Sequence, residues 1–268
     1  MSKYSEYREI KIEKDGGVVT ITLNRPDQRN AVNVAMHSEL EDVFVRLNEE
    51  EGVRVVILTG AGKAFSAGGD IKAMVNRIET GYHSSYNIKR RRGGRRLLEN
   101  MLNLEPPLIA ALNGPATGLG ATIALFCDIV IMAESAKIGD THVNVGLVAG
   151  DGGAVIWPLL IGASKAKYYL MTGELIAAED ACRLGLVHKA VPDAALMSEA
   201  REMAERLASG PTLAISWSKM AVNKHIRTAL NTILDSSLSW EHHTLRSEDH
   251  SEAAHAFLEK RKPIFKGR

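Results

Sequence analysis

Apolar positions along this chain follow two different periods. Short continuous or alternating apolar runs at residues 10–12, 18–23, 53–59, 108–112, 128–133, around Ile138 and at 185–191 read as strands. Residues 36–48 carry Leu40, Val43, Phe44 and Leu47 at helical spacing, and 121–127, 154–160 and 163–172 also read as helices. Asp15-Gly16-Gly17 joins the first two strands as a hairpin turn. The runs at 53–59 and 108–112 lack an alternating polar face, as expected of strands covered on both sides. Strand–helix alternation of this kind predicts the α/β class, a parallel sheet packed against helices. Beyond Pro192 only the helical period remains, at 194–208, 212–224, 228–245 and 251–260, with Gly210-Pro211 as a break. Helices leaving the sheet must bury their apolar faces on the chain's own core or on a neighbouring subunit. The chain therefore divides into a core at 1–195 and a helical region at 196–268.

Two of the buried strands run into glycine-rich turns that open helices. The first turn is Gly62-Lys63-Ala64-Phe65-Ser66-Ala67-Gly68-Gly69-Asp70-Ile71-Lys72, and the second is Asn113-Gly114-Pro115-Ala116-Thr117-Gly118-Leu119-Gly120. Bare amides where a helix begins face an anion with the positive end of the helix dipole behind them. A phosphate cradle would need Gly-Lys-Ser/Thr closing the turn or the G-x-G-x-x-G spacing, and here a lysine precedes the glycines and an aspartate ends them. One Gly-Gly-Asp turn is an ordinary strand-to-helix connection. Two such turns can aim two amides at one oxygen and form an oxyanion hole.

With these turns, Ile21-Thr22-Leu23-Asn24-Arg25-Pro26, Asn30-Ala31, Leu170-Met171-Thr172-Gly173 and the tail Ala256-Phe257-Leu258-Glu259-Lys260-Arg261-Lys262-Pro263, the chain resembles the crotonase (enoyl-CoA hydratase/isomerase) superfamily over nearly its whole length. The resemblance implies a crotonase (ClpP-like) spiral of ββα units with a C-terminal helical trimerisation region. That region often builds a dimer of trimers, its last helix reaching toward a neighbour's active site. It implies an enzyme that binds an acyl-CoA thioester and stabilises its enolate, with the backbone N–H groups of Gly69 and Leu119 as the oxyanion hole. Lys63, Ala67, Gly68, Asp70, Ile71, Gly118 and Lys260 are then the substrate and coenzyme A contacts. Coenzyme A enters as part of the substrate, and no tightly bound cofactor or metal is implied.

The family's two water-activating glutamates fall on Thr122 and His142. A threonine hydroxyl can orient water but has no useful acid–base chemistry near neutrality, whereas histidine titrates there. His142 is the candidate general acid/base, with Asp151 nine residues on as its carboxylate partner. Asp151 also suits the N-cap of the helix at 154–160, Asp70 the cap of its own helix, and Asp140 the ordering of the loop before His142. The run Val143 to Pro158 with His142 and Asp151 resembles 6-oxocamphor hydrolase, a relative that cleaves a C–C bond in a β-diketone by retro-Claisen hydrolysis. Its matching His and Asp are catalytic and a late carboxylate aligns with Glu241, but its further histidine near the oxyanion turn has no counterpart around Leu119.

Composition narrows the classes. A chain of 268 residues, 45% hydrophobic, is enough for one large core. A net charge of +1 argues against a dedicated nucleic-acid binder, although one family relative binds RNA and a non-catalytic acyl-CoA- or RNA-binding role is the third reading. The basic run Lys89-Arg90-Arg91-Arg92-Gly93-Gly94-Arg95-Arg96 is a solvated helix face or loop, or a mouth for coenzyme A phosphates together with Lys63, Lys260 and Lys262. Cys127 and Cys182 lack metal-ligand spacing and point to a reducing cytoplasm. No apolar segment follows the first residues as a secretory signal would require. The apolar span 108–133 is broken by Asn113, Gly114, Pro115, Gly118, Gly120 and Asp128, so it reads as core rather than membrane.

Overall fold

The computed structural model describes residues 4–81 and 84–268, with residues 84–92 described by their backbone alone. In chain order the elements are β1 (Ile10–Asp15), β2 (Val18–Leu23), α1 (Val34–Glu49), β3 (Val55–Gly60), α2 (Ile71–Thr80), α3 (Ser84–Asn103), β4 (Leu108–Leu112), β5 (Ala116–Thr117) and α4 (Leu119–Leu125). They continue as β6 (Ile129–Ala133), β7 (Lys137–Gly139), α5 (Gly153–Thr172), β8 (Ile176–Ala177), α6 (Ala178–Leu184), β9 (Lys189–Val191), α7 (Leu196–Ala208), α8 (Thr212–Thr244) and α9 (Glu248–Glu259). The main sheet has the order β1-β2-β3-β4-β6-β9. Only the β1–β2 hairpin is antiparallel, and every later pairing in that sheet is parallel. A small second sheet, β5-β7-β8, stands beside it and carries the loops of the site.

Local chemistry accounts for these elements. Every residue of β3 and of β4 is buried, which is why neither shows a polar face. Asn33 caps α1 by accepting from the Met36 amide at 2.8 Å, and α1 then buries Met36, Leu40, Val43, Phe44 and Leu47 as its periodicity requires. The two helices expected at 154–160 and 163–172 form one element, α5, kinked at Gly162, whose φ of 78° is left-handed. The gap expected at 225–227 is also absent, because α8 runs through all 33 residues. Asn223, buried there, donates to the Leu102 carbonyl at 3.0 Å and ties the helix to the end of α3. The last strand is shorter than its apolar run, since Gly185 serves as the left-handed C-cap of α6.

α7 packs on β3, β4 and β6 and so completes the cover of the sheet, while α8 crosses α3 and α5. α9 folds back on its own chain, against α2 and the short turn His142–Val145. Among the described residues no helix is long and apolar enough to cross a membrane.

One ion pair anchors α8 to the sheet. Lys219, 7% exposed, meets Asp128 at 2.7 Å and the Pro106 carbonyl at 2.8 Å, while Asp128 also accepts from the Leu108 amide at 2.7 Å. Burial pushes the Asp128 carboxyl up against the pull of Lys219, so its charge depends on that partner. Lys219→Met is expected to cost about 3 kcal/mol, the lower end for breaking a buried pair because Asp128 keeps some exposure. A denaturant titration measures it, and a loss within error of zero would show that the pair contributes nothing.

Candidate active site

The two glycine-rich turns meet. Ser66 and Ala116 form a parallel bridge, with the Ser66 amide donating to Pro115 at 3.1 Å and the Thr117 amide to Ser66 at 3.0 Å. The buried Asn30 side chain pins the first turn from behind by donating to the Ala61 and Ala64 carbonyls, and Ser66 Oγ donates to the Asn30 carbonyl at 2.8 Å. Gly68 has φ +82°, and a Cβ there would lie 2.6 Å from the Thr117 carbonyl oxygen, so only glycine allows the turns this close. The Val32 amide donates to the Gly68 carbonyl at 2.7 Å. In a trans peptide the next N–H points the opposite way, so the Gly69 amide is directed away from Val32. Leu119 is the first residue of α4, where no carbonyl of its own helix can accept from its N–H. Gly118 before it holds φ 52° and ψ −125°, a glycine conformation.

Beside this junction lies a chain of four polar side chains. His142 Nδ1 is 2.7 Å from Asp140 Oδ1, and His142 Nε2 is 3.0 Å from Asp151 Oδ2. Thr122 Oγ1, fully buried on α4, donates to Asp151 Oδ1 at 3.1 Å. A Cβ on Gly118 would sit 3.6 Å from His142 Cε1, which puts the imidazole directly behind the second turn. Asp140 also accepts from the His142 amide at 3.2 Å, so it orders the loop as expected and grips the ring as well. Its other oxygen is buried without a hydrogen-bond partner among the described residues. That oxygen lies against Gly153 in the first turn of α5, where a Cβ would be 2.2 Å away and where the helix dipole favours negative charge.

The geometry corrects two expectations. Asp151 does not cap α5: the N-cap is Gly152, φ 125°, with no side-chain cap, and the Asp151 carboxylate turns instead to His142 and Thr122. Asp140 grips the His142 ring alongside Asp151, at 2.7 Å on Nδ1 against 3.0 Å on Nε2, although its sequence position suggested only the ordering of the loop. Glu241 is buried beside Gly150, where a Cβ would lie 2.5 Å from the Glu241 Cβ, so it backs the loop that carries Asp151.

The remaining candidates separate. Asp70 accepts from the Ala73 amide at 3.2 Å as the cap of α2 and pairs with Arg25 at 3.1 Å. Ile71 packs in a small apolar cluster, Lys63 and Ala67 are exposed beside the first turn, and Lys260 is the exposed C-cap of α9. Arg95 is held by Glu99 at 2.8 Å and Asp235 at 3.2 Å, and Arg96 by Glu41 at 2.7 Å, so this end of the basic run is already paired. The side chains of Lys89, Arg90, Arg91 and Arg92 lie outside the described residues. Among the described residues no cluster of potential metal ligands occurs.

Burial works against a charged His142, but the carboxylates of Asp151 and Asp140 outweigh it and hold the ring well above the usual histidine range. Both ring nitrogens face carboxylate oxygens, Nδ1 toward Asp140 and Nε2 toward Asp151, and this arrangement favours the imidazolium form of the ring. Because the folded state binds this proton more tightly than the unfolded chain, the stabilisation is complete below the unfolded value of about 6.5. It is lost as pH rises through the folded value. The excess thermal stability of the wild type over His142→Gln should therefore be level in mild acid and shrink on the alkaline side of neutrality. An excess that stays constant through the alkaline range would contradict the imidazolium.

A family model described as enoyl-CoA hydratase/isomerase matches residues 13–268. The chain is 36% identical over 260 residues to the short-chain-enoyl-CoA hydratase of Clostridium acetobutylicum, covering 96% of this chain and 97% of that protein. It is 35% identical over 252 residues to the 1,2-epoxyphenylacetyl-CoA isomerase of Escherichia coli, covering 94% and 96%. The crystal structure of an enoyl-CoA hydratase/isomerase from Mycobacterium paratuberculosis superposes with a TM-score of 0.87 at 38% identity, covering 92% of this chain and 97% of that one.

Proposed function

Since the chain belongs to the enoyl-CoA hydratase/isomerase family, we propose that it binds an acyl-CoA thioester and makes its enolate, with Asp151 moving the proton. The observation that carries this reading is the His142 ring bridging the Asp140 and Asp151 carboxylates directly behind the Gly118 turn. Asp140 and Asp151 flank the one ring from its two nitrogens, an arrangement suited to taking up a proton and returning it. Asp140 is fully buried, while the Asp151 side chain keeps 11% exposure, which makes Asp151 the member that meets substrate. The carbonyl oxygen, negative once the α-proton leaves, would accept from the Gly69 and Leu119 amides. Thr122 and His142 fix the two carboxylate oxygens of Asp151.

Exposed Lys63 and Lys260 suit the phosphates of coenzyme A. Exposed Trp217 and Leu213 on α8 and Met171 on α5 support a homo-oligomer, a trimer or dimer of trimers, which light scattering would read. The unbridged Cys127 and Cys182 support a reducing cytoplasm. Initial rates on crotonyl-CoA for hydration and on a 3-enoyl-CoA for isomerisation test the function. Turnover of either is expected, and absence of both, with no calorimetric binding of crotonyl-CoA at low salt, would overturn it.

A further inference from the structure

A second apolar cluster, separate from the main core, lies between the two halves of the site. Met74, Leu147 and Leu245 are each at most 6% exposed and pack together, with Ile71 and Val145 against them. One end of the cluster touches the oxyanion turn: a Cβ on Gly69 would lie 2.5 Å from the Met74 Cε methyl. The other end is tied to the acid–base turn, because the Leu147 amide donates to the His142 carbonyl at 2.9 Å. Leu147 also lines an open cavity of about 500 Å3, shared with Val143, Val148 and Phe265 and edged by Asp249 and Arg268. Gly152, next to Asp151, is by contrast wedged against Leu98 and Thr122, at 2.8 Å from each for an added Cβ, within the close-packed core.

We propose that Met74 and Leu147 form a partition that sets the acyl-chain length this site accepts, closing the apolar path from the oxyanion turn to the cavity behind Leu147. The inference rests on the acyl-CoA reading above. With the partition in place, the acyl group that fits beside Gly69 is short. A longer chain must displace Met74, an unbranched side chain with several rotatable bonds, before its end can reach the cavity. Discrimination by one methylene of apolar fit changes rates by roughly ten- to two-hundred-fold, which makes the effect measurable.

The experiment compares kcat/KM for crotonyl-CoA and trans-2-decenoyl-CoA in the wild type, Met74→Ala and Leu147→Ala. The wild type is expected to favour the four-carbon substrate. Each substitution is expected to shift the decenoyl-to-crotonyl ratio upward by about tenfold or more. A ratio unchanged in both variants, with circular dichroism and melting temperature showing both folded, would overturn the partition. If either variant is unfolded, Met74→Leu decides: a branched but similarly sized side chain must leave the wild-type preference in place, and a ratio shifted as far as expected for alanine would overturn the proposal. Failure of the acyl-CoA reading is distinguishable, because then the wild type turns over neither thioester and binds neither in calorimetry.

Discussion

Asp151→Asn is expected to lower turnover of an acyl-CoA substrate by about a hundred- to ten-thousand-fold, the contribution usual for a positioned acid–base group. Asparagine keeps the size of the side chain and can still accept from Thr122, but it cannot take a proton from carbon or water. Binding of the thioester should survive, so the loss falls on kcat. His142→Ala should produce a similar fall by leaving both carboxylates without their shared cation. Because the three residues act as one unit, Asp151→Asn combined with His142→Ala should be little worse than either alone. Steady-state rates with single and double variants measure this. Multiplicative losses would mean that the two residues work independently, and an Asp151→Asn enzyme with wild-type kcat would remove Asp151 from the chemistry.

The second large effect concerns the junction of the glycine-rich turns. Gly68→Ala places a methyl where the Thr117 carbonyl oxygen lies 2.6 Å away, on a residue whose φ of +82° already disfavours a side chain. Neither atom is the end of a flexible group, so the turns must separate. The convergence of the Gly69 and Leu119 amides on one oxygen, which the proposed function requires, would then be lost. Loss of one oxyanion donor costs about a hundred- to a thousand-fold in kcat, and that is the fall expected here. Gly16→Ala is a suitable control, since it has comparable φ strain at +58° but nothing within 4 Å of the added methyl. A Gly68→Ala enzyme no slower than this control would show that the approach of the turns does not matter for rate.

Much of this arrangement is written in local sequence. The largely apolar runs of β3 and β4, without an alternating polar face, read as doubly covered strands, and Gly68 and Gly118, both at positive φ, mark their turns. The pairing of His142 with Asp151 is legible from spacing and family resemblance. The part played by Asp140 is not, because it depends on the backbone of Gly153 coming from another element to pack on its carboxylate. An N-cap for Asp151 was the reasonable local reading, overridden by a tertiary partner in Thr122 that lies 29 positions away in sequence. The contact of Asn223 with Leu102, just before the expected gap in α8, is likewise one that no helical periodicity encodes.

Deuterium uptake at the α-carbon of butyryl-CoA in D2O tests the central claim most directly. This saturated thioester can form an enolate but has no double bond to hydrate or shift, so exchange reports only proton removal with the charge held on the thioester oxygen. The account predicts exchange with the wild-type protein and its loss in Asp151→Asn and in Gly68→Ala, with calorimetric binding retained in Asp151→Asn. Exchange at the wild-type rate in Asp151→Asn, or none in a wild type that binds butyryl-CoA, would contradict it.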